Sequence, residues 1–510
     1  MAAGTDRPGR DHRFATYIPG TCPRHSPAER VPELFSGPVP PRSRNSHRGC
    51  ERLCPACGEG GDVSGIGSDL RRVVRGRVLA VGEEGFEGAR VPWNSAVEQR
   101  VSAVVEVADA GDVAAVVEYA AKVGVAVTAQ ATGHGASEAA EGTVLVKTVA
   151  LDGIEVDARR RSARVGAGTQ WGALSERTAP HGLVGAVGSS PVVGIAGYTL
   201  GGGIGWFARS RGFAANAVRA VECVVADGTH MLVTAETDPE LFWALRGGGG
   251  DFAVVTALEF DLFEHGALYG GRMMWPADRA ETVLAAYREA ALEAAEGLSI
   301  WVTLMQFPPF PQVPEVLRGK AMIAVDVVAA GEVTAPLRWF EAIAGVVMDN
   351  RRPLDATELG GICMEPTNPS PARVRGELLT DFSSHVTDVL LNVAAPQRSV
   401  SPLALVQVRH LGGALHRPPV DAGAAGGIRE PYLLSMLGPV PTPEHAAVVA
   451  ERQQAVVSAL HSHVSGRKPL TYLDGGDSAA DAFTPDTVVR LRSIKRRYDP
   501  EGAIRGSFPV

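Results

Sequence analysis

The chain has 510 residues, 45% of them hydrophobic and 21% charged, with a formal net charge of -8. That composition excludes a disordered chain and predicts a folded protein of two domains plus an extension, since one core rarely serves so long a chain. The modest acidic balance argues against a general nucleic-acid binder. Of the six cysteines, Cys22, Cys50, Cys54 and Cys57 lie in the first 57 residues, and Cys223 and Cys363 stand far apart. This is no secreted disulfide framework, and the start "MAAGTDRPGRDHRFATYIPG" has no apolar h-region, so a cytoplasmic location is expected.

Residues 1–68 are rich in Pro, Arg, Ser and Gly without an apolar period, and they read as a poorly ordered extension. Within them "CERLCPAC" offers the thiols of Cys50, Cys54 and Cys57, and His47 or Cys22 is available as a fourth ligand. Tetrahedral zinc wants four ligands in paired spacing. The paired C-x-x-C arrangement is missing, and no metal site is assigned.

The ordered pattern starts near Arg71. "RVSAVVEVA" predicts a strand and "DAGDVAAVVEYAAKVG" a helix, with Asp109 as cap, Asp112 in the first turn and Gly124 at the end. Val113, Val116, Val117, Ala120 and Ala121 make its apolar face. "VAVTAQ" follows as a buried strand, then the loop "ATGHGA" with His134 between two glycines, then the strand "GTVLVKT". A glycine-rich loop at the carboxyl end of a strand in an α/β unit is a favoured ligand site.

"RSARVGAGTQWGAL" offers Gly166 and Gly168 after a strand, but Trp171 occupies the third glycine position of a nicotinamide fingerprint. A common dinucleotide site is therefore not expected, and no Walker A sequence exists. Residues 182–208 run uncharged for longer than a bilayer span needs, yet they hold nine glycines and a proline. Each interior glycine costs a helix roughly 1 kcal/mol against alanine, so a buried glycine-rich loop and strand is expected there, with no membrane contact. "VRAVECVVADGTHMLVTAE" reads as strand, "DG" turn, strand. Cys223 falls in that first strand as a small core residue. From about residue 270 longer strand-like and helical stretches, such as "GKAMIAVDVVAA" and "EHAAVVAERQQAVVSAL", point to a second domain.

Two glycine-rich segments, "ATGHGA" and "GSSPVVGIAGYTLGGGIGW", free their backbone amides to approach anionic oxygens. Facing each other, they could hold a pyrophosphate without a lysine, with His134 pointing at the bound group. The bland alternative is a histidine that merely hydrogen-bonds backbone in a tight turn.

In "QATGHGA", "GSSPVVGIAGYTLGGGIGWFARSRGFAAN", "DPELFWALRGGGGDFAVVTALEF", "RHLGGAL", "TYLDGGD" and "KRRYDPEGAIRG" the chain resembles the FAD-linked oxidases of the vanillyl-alcohol oxidase / p-cresol methylhydroxylase superfamily. The likeness is to the berberine-bridge-enzyme-like branch, and it runs in order over roughly residues 90–510. It implies an α+β fold: a two-subdomain FAD-binding domain of the p-cresol methylhydroxylase type over residues 69–268, then a substrate domain with an antiparallel sheet flanked by helices over 269–464. Residues 465–510 would return to the FAD domain.

The resemblance further implies FAD bonded through a ring nitrogen of His134 to its 8α-methyl carbon. Ser190 stands where some relatives place a second, cysteine tether, so a bicovalent flavin is not expected. Backbone from Thr132 through Gly133, His134 and Gly135 to Ala136 should wrap the pyrophosphate and isoalloxazine. The stretch from Gly194 through Ile195, Gly197, Leu200 and Gly201 to Gly202 should do the same. Val254 and Val255 would lie near the adenosine half. Asp251 and Ala253 replace the usual N-F-G.

Tyr472 matches a tyrosine over the flavin that helps deprotonate substrate, with Asp474 in place of the usual asparagine. Arg409 and His410 fall on a strand near the flavin, and His410 is a second catalytic candidate. Val193 takes the position that controls oxygen access. The expected activity is an oxidase removing hydride from a C–O or C–N bond of a sugar, alkaloid-like or polyketide-type small molecule and passing electrons to O2. A dehydrogenase with another acceptor, or a flavin-bearing protein that sequesters a small molecule, remains open, as does the oligomeric state.

Overall fold

Short valine and alanine runs, apolar on both faces, build the first sheet. In the computed structural model, which describes residues 65–307, 315, 317–394 and 401–510, Ala103–Glu106, Val144–Lys147 and Val127–Gln130 are parallel neighbours, and Arg77–Ala80 joins antiparallel at one edge. Cys22, His47, Cys50, Cys54 and Cys57 lie outside the described residues.

The helix Ala110–Val123 makes the crossover between the first two parallel strands. The Asp109 side chain accepts the Asp112 N–H at its start, and Gly124 closes it at φ 72°. Its apolar face departs from expectation at one position: Ala121 is exposed and Ala114 is buried. Asp112 explains the shift. Its buried carboxylate accepts the backbone N–H groups of Arg75, Gly76 and Ala108 at 2.8, 2.8 and 2.9 Å, which draws the first turn inward more widely than the last.

A second, antiparallel sheet runs in the order Ile154–Asp157, Ser162–Gly166, Val254–Asp261, Val218–Val224, His230–Val233. The expected "DG" hairpin is its last pair. Cys223 is a buried core thiol on it.

The third sheet has eight strands, all antiparallel. Its six long strands run in the order Leu268–Pro276, Ala321–Ala330, Leu298–Gln306, Leu405–His410, Tyr432–Pro439 and, at one edge, Ala372–Leu379. Side chains of the helices Ala280–Glu293 and Pro443–Ala459 share one core with one face. From the sheet's other face Trp301 and Val328 join the core of the second sheet. Sheets with segregated helices and no barrel make the fold α+β, and one face of the third sheet is turned toward the glycine-rich loops.

Residues 182–208 differ from the expected loop and strand. A two-residue strand, Leu183–Val184, is followed by the short helix Ile195–Leu200. Ile195, Ala196, Thr199 and Leu200 are its buried residues, a helical spacing that six residues between Gly194 and Gly201 suffice to make. Among the described residues no helix is long and apolar enough to cross a membrane. The tail comes back to the first sheet, where Val127 donates to Ala503 O at 2.7 Å and accepts from Arg505 N at 2.8 Å.

Candidate active site

The strand Val127–Gln130 ends where the third sheet turns a face toward it, and between them lies a cavity of about 1030 Å³. The segments that line it include the His134 loop, residues of the run from Gly188 to Ile204 and of Gly249 to Val255, the third-sheet residues Arg373, Val374 and Arg409, and the tail at Leu470–Gly475 and Arg505–Phe508. Thr132, Gly133, His134, Gly135, Ala136, Gly194, Gly197, Leu200, Gly201, Val255 and Tyr472 all face it, as does Val193. Ile195, Gly202, Val254 and His410 are not in its lining. Val254 begins a strand whose side chains alternate, so it packs into the first-sheet core while Val255 turns to the cavity.

His134 is held on two sides. Its Nδ1 lies 2.8 Å from the Thr132 hydroxyl, and its ring stacks on Trp93 with 4.3 Å between centroids and 18° between planes. The Trp93 backbone N–H donates to Thr132 O at 3.0 Å and ties the two segments together. Gly133 makes the approach possible: its φ is 85°, and a Cβ there would come within 2.7 Å of Pro92. Burial pushes the imidazole down to about 4, so it is neutral at physiological pH and keeps a ring-nitrogen lone pair.

Across the cavity Tyr472 sits on the third sheet. The sheet admits it only because position 376 is glycine, where a Cβ would stand 2.6 Å from the Tyr472 Cβ. Burial raises the phenol above its ordinary value, and the Arg409 guanidinium opposes that rise. Asp474 is committed elsewhere, to an ion pair with Arg373.

On the strand Leu405–His410 successive side chains alternate, which separates Arg409 from His410. Arg409 is paired in register with Trp301, stacks on its ring at 3.9 Å and lines the cavity. His410 goes to the other side. There its Nε2 meets an Arg209 Nη at 2.9 Å, and burial with that cation pushes it down to about 3. Arg209 also donates to the carbonyls of Ala294, Ala295, Leu298 and Leu411, so His410 belongs to a structural clamp.

The lining fits a large, partly polar cofactor. Gln130 Nε2, Trp171 Nε1, Gln99 Oε1 and Ser190 Oγ are buried without a partner, and all four residues line the cavity. A buried polar atom left unpaired is costly, so these are groups awaiting a ligand. Gly135, Gly197 and Gly250 form a cradle beside them, since a Cβ on any would project into open space where the cavity lies. Asp251 serves the rim: its carboxylate accepts the N–H groups of Gly506 and Val510 at 3.0 and 3.2 Å and pins the tail. Burial raises its pKa, opposed by the nearby Lys495.

Sequence reasoning missed Trp93, Glu365 and Arg373. None sits in a motif with a chemical period. Arg409 lies on the expected strand with His410, and the two-residue alternation that sends the pair to opposite faces is the signal for which of them meets the cavity.

Residues 101–234 match the FAD binding domain family. Over 469 residues the chain is 25% identical to (R)-6-hydroxynicotine oxidase of Paenarthrobacter nicotinovorans, covering 86% of this chain and 97% of that protein. FAD-dependent monooxygenase FUP4 of Fusarium proliferatum (strain ET1) is 31% identical over 232 residues, 44% of each chain, so the match spans less than half of that relative. Among solved structures, BBE-like 1 of Physcomitrella patens superposes with a TM-score of 0.74 at 18% identity, covering 87% of this chain and 98% of that one, a likeness of fold.

Proposed function

We propose, because the chain belongs to the vanillyl-alcohol oxidase / p-cresol methylhydroxylase family in its berberine-bridge-enzyme-like branch and is an FAD-dependent oxidoreductase, that it is an oxidase carrying a covalent flavin on His134. The observation that carries this reading is a neutral, clamped imidazole at one wall of a glycine-lined cavity, with a buried phenol at the other.

Thr132 to Ala136 with Gly194, Gly197, Leu200 and Gly201 would hold the pyrophosphate and ring system, the backbone amides doing the work of a lysine. Val255 would meet the adenosine half. FAD, when bound, supplies the two-electron acceptor for the substrate's hydride. Tyr472 would hold the substrate hydroxyl or amine at its phenol oxygen and, in its phenolate form, take the proton as the C–H bond breaks. Arg409 favours that transfer by stabilising negative charge on the oxygen. His410 takes no part, because Arg209 holds it outside the cavity. Ser190 lacks the thiol a second tether requires. Val193, at the cavity wall, is small enough to leave a route for O2 as final acceptor.

The substrate is a small molecule with an oxidisable C–O or C–N bond, as the relative named for 6-hydroxynicotine suggests. Cys223 and Cys363 are free, buried thiols, which suits a reducing cytoplasm.

The test is an absorption spectrum of the purified protein, repeated on pellet and supernatant after acid precipitation. Yellow colour in the pellet, lost in His134→Ala, is the expected result. Flavin only in the supernatant removes the tether, and a colourless protein that FAD cannot reconstitute overturns the reading. Anaerobic bleaching by substrate, followed by reoxidation in air, separates an oxidase from a dehydrogenase or a sequestering protein.

A further inference from the structure

The charges around the cavity are unevenly satisfied. Arg373 is paired with Asp474, and Arg505 donates to the carbonyls of Ala139 and Glu141. Arg409 differs. It is 8% exposed, and no carboxylate approaches it within ion-pair distance among the described residues. Of the five donors on its guanidinium, only Nε is engaged, donating to Gln407 Oε1 at 2.6 Å. The Gln407 amide is itself anchored to Thr303 Oγ1 at 3.1 Å, so the group cannot turn away. Trp301 lies against one face at 3.9 Å, and the Tyr472 ring is 5.8 Å from the guanidinium carbon. Stacking offsets part of the cost of burial but leaves the terminal N–H fork unfilled.

A buried charge without a counter-ion is expensive, and a planar fork held rigidly over an aromatic is the geometry that receives a carboxylate by two parallel hydrogen bonds. Glu365 lines the same cavity, partly buried and with no partner among the described residues. Its charge disfavours a dianion such as phosphate, and it accepts hydrogen bonds from a hydroxyl or amine.

We infer that Arg409 recognises a carboxylate on the substrate, and that the substrate class is a carboxylic acid bearing a hydroxyl or amine that faces Glu365. This deepens the oxidase reading and rests on it for the reaction; the recognition itself stands on the side chains alone. The carboxylate would be seated beside Tyr472, which brings the neighbouring C–O or C–N carbon to the phenol and fixes which bond is oxidised.

Benzoate and benzamide share a shape and differ in charge, and neither offers an oxidisable bond. Their binding to the full-length purified protein, followed by titration calorimetry, is the experiment, with flavin content read separately by absorbance. Benzoate is expected to bind wild type at least about ten-fold tighter than benzamide, the usual weight of a charge-assisted contact. Arg409→Met should erase that difference, and Arg409→Lys should retain part of it. Glu365→Gln should leave benzoate binding equal or tighter. Equal affinity of wild type for the two probes, or unchanged benzoate affinity in Arg409→Met, overturns the inference. An Arg409-dependent preference in a protein that takes up no flavin would uphold it while sinking the oxidase reading, and a flavin-bearing protein with no preference would do the reverse.

Discussion

The Trp93 indole lies against the His134 imidazole at a centroid distance of 4.3 Å, with 18° between the two planes. The contact spans the ring that the proposed tether must use, and the Thr132 hydroxyl at 2.8 Å completes its support. A histidine so placed has its rotation restricted before any cofactor arrives.

Trp93→Ala should therefore slow flavin attachment while leaving binding intact. Aromatic pairs are worth about 0.5–1.5 kcal/mol, which corresponds to a roughly two- to ten-fold lower rate. The measurement is the fraction of yellow colour that stays with acid-precipitated protein over time after FAD is added to apoprotein. An unchanged time course would show that the stack is packing alone.

Gly376→Ala should displace Tyr472, because the new methyl would stand 2.6 Å from the Tyr472 Cβ. Flavin content should not change, since Gly376 is absent from the cavity lining. The rate of anaerobic flavin reduction by substrate should fall, by as much as about a hundred-fold if the phenol moves by an ångström. Loss of flavin together with activity would instead point to a wider collapse.

The pair Arg272–Asp326 is 3% and 0% exposed, with two hydrogen bonds at 2.6 and 2.8 Å. Cys363 Sγ adds a contact to the same carboxylate at 3.5 Å. Asp326→Asn strands a buried guanidinium and should cost about 3–5 kcal/mol, read as a lower urea midpoint. The double change Arg272→Met with Asp326→Leu should recover most of that loss.

Acid should destabilise the fold through its buried histidines. His410 titrates at about 3 in the folded chain, against an ordinary 6.5. Below the ordinary value the unfolded chain takes up a proton that the folded chain refuses, so stability is whole above 6.5 and falls as pH drops toward 3. One histidine contributes a slope of up to about 1.4 kcal/mol per pH unit, and His134 adds a second over a narrower window. Urea midpoints at a series of pH values should show a shallower slope in His410→Gln, whose amide oxygen still accepts from Arg209.

Much of this was legible along the chain. The Asp109 cap, the Gly124 stop and the "DG" hairpin act through their own residues and near neighbours, so spacing and residue type suffice. The His134 loop was equally plain, because a reactive side chain among glycines stands out in one dimension. What distance in sequence hides is which side chains meet. Trp93 reaches His134 from 41 positions away, Gly376 makes room for Tyr472, and Asp251 pins the tail near Gly506. His410 and Arg409 are adjacent letters, yet the pleat sends one to Arg209 and the other over Trp301. The sequence by itself determined most of the elements and the fold class, since those follow from local propensity and pattern. Only the tertiary structure decided which polar groups are buried without partners, because desolvation and pairing depend on the whole surface that closes around them.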